Sequence, residues 1–180
     1  MAAEPDLRIL LSSSTLKWNE HYLRAQQCGC TLTTITSDSE NAEALAAAQE
    51  YDFGSATQKI LWIGGERPAL CDAATTTSTT MPGSQDDTCW SWSDGTPWLY
   101  ENFADTMSFP QPNSPPYSET LMNANTPQQN KVGLQQQPNN VGDTGMWQDK
   151  WQGEEYPALY TCDVSNETFD PCCVSGICLR

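Results

Sequence analysis

The sequence predicts one disulfide-stapled α+β domain, and three observations carry that expectation. Two segments read as helices, several short apolar runs closed by turn residues read as strands, and eight cysteines form an even set with no Cys-x-x-Cys pair. At 180 residues the chain fits a single domain with long insertions. Its hydrophobic fraction of 38% is low, but seven Trp, six Tyr and four Phe supply enough apolar area for a core. The abundance of Gln, Asn, Thr and Ser, with twelve Pro, implies long polar loops around it.

Leu7 to Leu11 is an apolar run suited to an opening strand. Trp18 to Gln27 reads as a first helix with Trp18, Tyr22 and Ala25 on one side, stopped by Gly29. Leu32 to Ile35 is short and β-branched. Ser37 and Glu40 then have capping-box spacing, and the Ala-rich stretch to about Tyr51 continues as helix in the best helix formers. Ile60 to Ile63 is continuously apolar and closed by Gly64-Gly65, which suits a buried strand. From Glu66 to Asp87 the chain is rich in Ser and Thr, as a solvated or O-glycosylated loop would be. A strand at Thr88 to Trp92 ends at the Asp94-Gly95 turn. Trp98 to Asn130 has little periodicity and is long enough to suggest a working surface. Lys131 to Leu134, Gly145 to Trp147 and Leu159 to Val164 read as closing strands before a Cys-rich tail. The expected organisation is a domain over 5–164 and a tail over 165–180.

Charge excludes some partners. Eight Lys plus Arg against twenty-three Asp plus Glu give a formal net charge of −15, the opposite of a footprint for nucleic acid or anionic lipid. No stretch reaches the ~18 apolar residues of a membrane span, so membrane insertion is not expected. The cysteine usage points to an extracellular location, and the sequon Asn166-Glu167-Thr168 makes Asn166 a glycosylation candidate. The first six residues lack the basic and apolar regions of a signal peptide, so a leader is expected to have been removed or to lie upstream. Cys71 and Cys89 flank the Ser/Thr-rich insertion between two neighbouring strands and are expected to pair.

Enzymatic readings lack parts. His21 is the only histidine and falls within the first helix, where a packing or surface role outweighs general-base work. No phosphate-binding glycine loop, nucleophile motif or metal-ligand pair of the usual spacing is present. Cys172, Cys173 and Cys178 suit an oxidised tail better than a zinc cluster.

Several markers occur in order across residues 5–164. They are Trp18, Gly29 and Leu32 with Ser37-x-x-Glu40-Asn41; Trp62-Ile63-Gly64-Gly65; and Trp90-x-Trp92-x-Asp94-Gly95-Thr96 with Asn102-Phe103. Later come Gln111-Pro112-Asn113, Gly145-Met146-Trp147-Gln148-Asp149 and Tyr160-Thr161-Cys162-Asp163. Together they resemble the C-type lectin-like domain. The resemblance implies two helices with small antiparallel sheets, a long loop region, and chain ends joined by a strand pair. It also implies that Cys162 bonds Cys28 or Cys30, because Ala25 occupies the family's first-helix cysteine position. A second family bridge is expected to be missing, since its positions fall near Lys131 and Gln152.

Sugar-binding members of that family hold calcium at positions matching Gln111, Asn113, Gln129, Gln148 and Asp149. Of these only Asp149 is charged, and calcium affinity depends on the number of carboxylates, so no tightly held cofactor is expected. Asn113 and Asp149 are the leading metal-ligand candidates if calcium binds, with Asp105, Glu119 or Asp143 as replacement ligands. Gln111-Pro112-Asn113 reads either as the family's cis-proline tripeptide or as a plain turn. Trp98, Tyr100, Phe109 and Tyr117 offer aromatic surface for stacking on a sugar, or pack beneath the loop. The expected function is non-catalytic extracellular recognition of a glycan or protein through the long loop. The alternative is a structural subunit of an extracellular cell-surface assembly or filament, self-assembling with the same fold as its scaffold.

Overall fold

The computed structural model of the chain describes residues 5–56, 58–67, 90–106, 109–110, 129–136 and 144–165. Strand β1 (Leu7–Lys17) runs directly into helix α1 (Trp18–Gln27). The backbone N–H of Lys17 donates to the Glu20 carboxylate at 3.0 Å, which satisfies one of the free donors at the helix start. Trp18, His21 and Ala25, spaced three and four apart, form the buried face of α1. The helix ends at Cys28, and Gly29 follows with φ of 69°, a conformation that other residues adopt only with strain.

Strand β2 (Cys30–Leu32) begins earlier than the β-branched run suggested, because it pairs with the carboxyl-terminal strand at Cys30↔Cys162. Helix α2 (Asp38–Ala48) starts where Ser37 caps it by accepting the Glu40 N–H at 3.3 Å. The Glu40 carboxylate closes back one residue further than a capping box requires, onto the Thr36 N–H and hydroxyl. The helix stops at Ala48, short of Tyr51. The Gln136 amide donates to the carbonyls of Ala48 and Tyr51 at 2.7 and 2.8 Å, supplying partners that continued helix would have provided.

Strands β3 (Ile60–Glu66), β4 (Ser91–Trp92), β7 (Gln129–Gln135), β8 (Trp147–Trp151) and β9 (Glu155–Asp163) join β1 and β2 in one sheet. A two-residue ladder, β5 (Asp105–Thr106) with β6 (Phe109–Pro110), stands apart within the segment expected to lack regular structure. The sheet order is β1-β9-β3-β7-β8, with β2 added to β9 and β4 to β3. All these pairings are antiparallel except β3 with β9, which meet at Trp62↔Ala158. The pairing of β1 with β9, from Leu7↔Asp163 to Lys17↔Glu155, joins the two ends of the domain as the resemblance implied.

Residues alternate between the two faces of a strand, and here both faces are covered. Leu61 and Ile63 lie with Val132, Leu134, Trp147 and the α2 residues Ala44 and Ala48. Trp62 lies on the other side with Tyr160, Leu32 and the α1 residues Trp18 and Ala25. This accounts for the unbroken apolar run in β3. Cys30 and Cys162 form a disulfide with Cα atoms 4.4 Å apart, across a separation of 132 residues. Cys28 is also disulfide-bonded, with its partner outside the described residues. The Cys71–Cys89 pairing, Asn166 and the tail cysteines likewise lie outside them.

Lys131, near one of the two positions that the resemblance implied for a second bridge, makes an ion pair with Glu66 at 2.8 Å and lies 4.0 Å from the centre of the Trp18 ring. A buried cation is tolerated there because a carboxylate and an aromatic face both stabilise it.

Candidate functional site

The long segment leaves the sheet near Trp98 and returns at Gln129, and its root is a dense aromatic cluster. The Trp98 ring lies 4.4 Å from Trp92, 5.7 Å from Trp147 and 6.0 Å from Trp90, measured between ring centres. Phe103 and Tyr100 contact the same Trp147 ring. Trp98 is half-buried, and its indole N–H donates to Glu101 at 2.7 Å. Gly65 beneath it has no room for a side chain: a Cβ there would lie 2.6 Å from Val132 and 3.2 Å from the Trp98 ring.

Polar bonds fix the orientation of the cluster. The Trp147 indole donates to Asn41 Oδ1 at 2.8 Å, and the Asn41 amide donates to the Gly145 carbonyl at 2.9 Å. Asn102 donates to that same carbonyl at 2.9 Å. Backbone bonds from Trp147 N to Asn102 O and from Ala104 N to Trp147 O stitch the outgoing segment to β8. The Tyr100 hydroxyl donates to Asp38 at 2.8 Å, and its pKa is pushed up to about 12, first by burial and then by that hydrogen bond. Helix α2, strand β8 and the start of the long segment therefore meet at one junction. Asn41 was visible in sequence only as a marker beside Glu40; its partners are 104 and 106 residues away.

Two of the five positions matched to calcium ligands have described side chains, and they do not converge. Gln148 faces Gly133 across the ladder, and its amide is hydrogen-bonded to Gln135. Asp149, the next residue, faces Val132 on the opposite side of the sheet and is 1% exposed. Asp149 already has a partner, and burial lowers the Lys150 pKa while the charges of Glu154 and then Asp149 oppose that shift. The described pair thus does not fit a single calcium ion. Gln129 is placed at the first position of β7, opposite Trp151. Gln111, Asn113, Tyr117, Glu119 and Asp143 lie outside the described residues. Among the described residues, no three His, Cys, Asp or Glu side chains come together as metal ligands.

His21 is fully buried between α1 and β9. Its Nε2 lies 2.8 Å from the Tyr156 carbonyl, which can only accept, so Nε2 carries the proton. Nδ1 then accepts from the Tyr160 hydroxyl at 2.7 Å. Burial lowers the imidazole pKa to about 4, outweighing the opposing hydrogen bond to Tyr156. The ring is neutral at pH 7, with both nitrogens occupied, and serves packing.

No family model matches the sequence, and no curated protein does. Solved structures do match. A human lithostathine structure is 14% identical, covers 90% of this chain and 87% of its own, and has a TM-score of 0.55. The mouse scavenger receptor C-type lectin carbohydrate-recognition domain is 17% identical over 90% and 92% of the two chains, also at 0.55. A calcium-independent type II antifreeze protein is 15% identical over 90% of each, at 0.50. Two helices, one mixed sheet joining the chain ends and the Cys30–Cys162 bridge agree with these likenesses, and the fold of this chain is the C-type lectin-like fold.

Proposed function

We propose that the chain is an extracellular, non-catalytic recognition module that binds a glycan or a protein through its long loop, without a strong calcium site. The observation that carries this reading is the fixed aromatic junction of Trp92, Trp98 and Trp147, tied to Asn41 and Asn102. It gives the segment a rigid base from which a variable surface can be presented. Trp98 and Tyr117 are assigned to ligand stacking, and Gln111, Asn113 and Gln129 to polar contacts around them; Gln148 and Asp149, on opposite sides of β8, do not join them. Two neighbours support the reading by name: one is a carbohydrate-recognition domain and another is described as calcium-independent. The divergence of Gln148 and Asp149 supports the calcium-free form. Eight cysteines support an extracellular setting, and among the described residues no helix is long and apolar enough to cross a membrane.

A structural role in an extracellular assembly is the second reading. Leu99, 87% exposed at the root of the long segment, favours it by offering an apolar contact to a neighbouring copy. An array of glycans and extracellular proteins, probed in calcium and in EDTA with light scattering alongside, separates the two. Equal binding of a defined ligand in both buffers is the expected result. Concentration-dependent polymerisation with no ligand bound would favour the structural role.

A further inference from the structure

A recess lies between α2 and the sheet, bordered by Asp94 and Thr96. On the inner face of the sheet, Leu11 and Leu159 pair across β1 and β9 within the core. Two residues further along, the row becomes Ile9, Thr161 and Thr31 across β1, β9 and β2. Above this row α2 presents Glu43, Ala46 and Ala47, whose alanines are too short to fill the gap. The result is an open groove of about 630 Å³, within the range of small-molecule sites. Its floor is apolar at Ile9, and the threonines supply hydroxyls.

The rim is acidic. Glu40, Glu43 and Asp94 stand at the groove with Arg8 as the one cation. Arg8 is neutralised by its ion pair with Asp6 at 2.9 Å. Glu40 is occupied by Thr36, and Asp94 by Thr34 and the Thr96 N–H. Glu43 has no hydrogen-bond or ion-pair partner among the described residues and faces the groove uncommitted. We propose that this groove binds a small amphiphilic organic cation, with its apolar body on Ile9, Ala46 and Ala47 and its ammonium or guanidinium at Glu43. Charge complementarity selects the class: an anion would meet three carboxylates, and a neutral apolar ligand would leave the hydroxyls and Glu43 without new partners.

Dansylcadaverine, a fluorescent apolar body bearing one primary ammonium, tests this by anisotropy titration of the full chain, with its uncharged N-acetyl derivative as control. Saturable binding of the amine and much weaker binding of the derivative are expected. Ala46→Trp fills the groove from an exposed helix position and should weaken binding about tenfold or more. Glu43→Gln should weaken it about two- to fivefold, as expected for an ion pair at an exposed carboxylate, and added salt should mimic that loss. Circular dichroism confirms that both variants fold. Absence of saturable binding, equal binding of the acetylated probe, or indifference to Ala46→Trp would overturn the proposal. None of these outcomes bears on ligand binding by the long loop.

Discussion

Lowering the pH from 7 to 4.5 probes how the lone histidine is held. His21 titrates near 4 in the folded chain, against 6.5 for an exposed imidazole. Between those values the unfolded chain binds a proton that the folded chain does not. Stability contributed by this group is therefore complete above about pH 6.5 and falls as the pH drops toward 4. A difference of about 2.5 units at ~1.4 kcal/mol per unit gives a full loss of about 3.5 kcal/mol once the pH has passed below both values. Because the chain has one histidine, its imidazole Cε1 proton is a single resonance on untagged protein, and an NMR titration reads the pKa directly. Urea melts across the same range, compared with those of His21→Gln, isolate this contribution from that of the carboxylates. The expected result is a midpoint near 4 and a shallower pH dependence in the variant. A midpoint between 6 and 7 would refute the buried neutral ring bonded to Tyr156 and Tyr160.

Three other outcomes follow from the geometry. Replacing both Cys30 and Cys162 by serine should lower stability by about 2–5 kcal/mol in urea melts, since the bridge closes a long loop in the unfolded chain. Asn41→Ala leaves the buried Trp147 indole and one bond to the Gly145 carbonyl unmade, and should cost about 2–4 kcal/mol while blue-shifting or quenching the tryptophan emission. Calorimetric titration with calcium should show no micromolar binding; a heat of that affinity, abolished by Asp149→Ala, would contradict the reading of Gln148 and Asp149 as divergent.

Local rules made much of the fold legible. Helix α1 has the bounds that its periodicity implied, and Ser37 caps α2 as its spacing required. The apolar run at Ile60–Ile63 is a strand covered on both faces. Cys162 found one of its two named partners, Cys30, because β2 pairs with β9 at that residue. The departures come from tertiary partners. Gly145 sits in a turn with φ of 80°, so β8 starts at Trp147 and runs to Trp151, later than the apolar pattern suggested. Strand β1 extends through polar Ser12, Ser13 and Ser14 because β9 pairs along most of its length, with an irregularity between Ser12 and Leu16. The site was less legible for the same reason. Gln148 and Asp149 look like adjacent ligands in sequence, but successive strand residues face opposite ways unless the ladder bends. The junction of Asn41, Asn102, Gly145 and Trp147 joins residues 43, 104 and 106 positions apart, and no local pattern encodes it.

Hydrogen exchange read by mass spectrometry, with and without a ligand identified on the array, tests the central claim most directly. Recognition through the long loop predicts ligand-dependent protection in peptides covering 98–130, the same in EDTA as in calcium. Protection confined to other parts of the sheet, or appearing only when calcium is present, would contradict it.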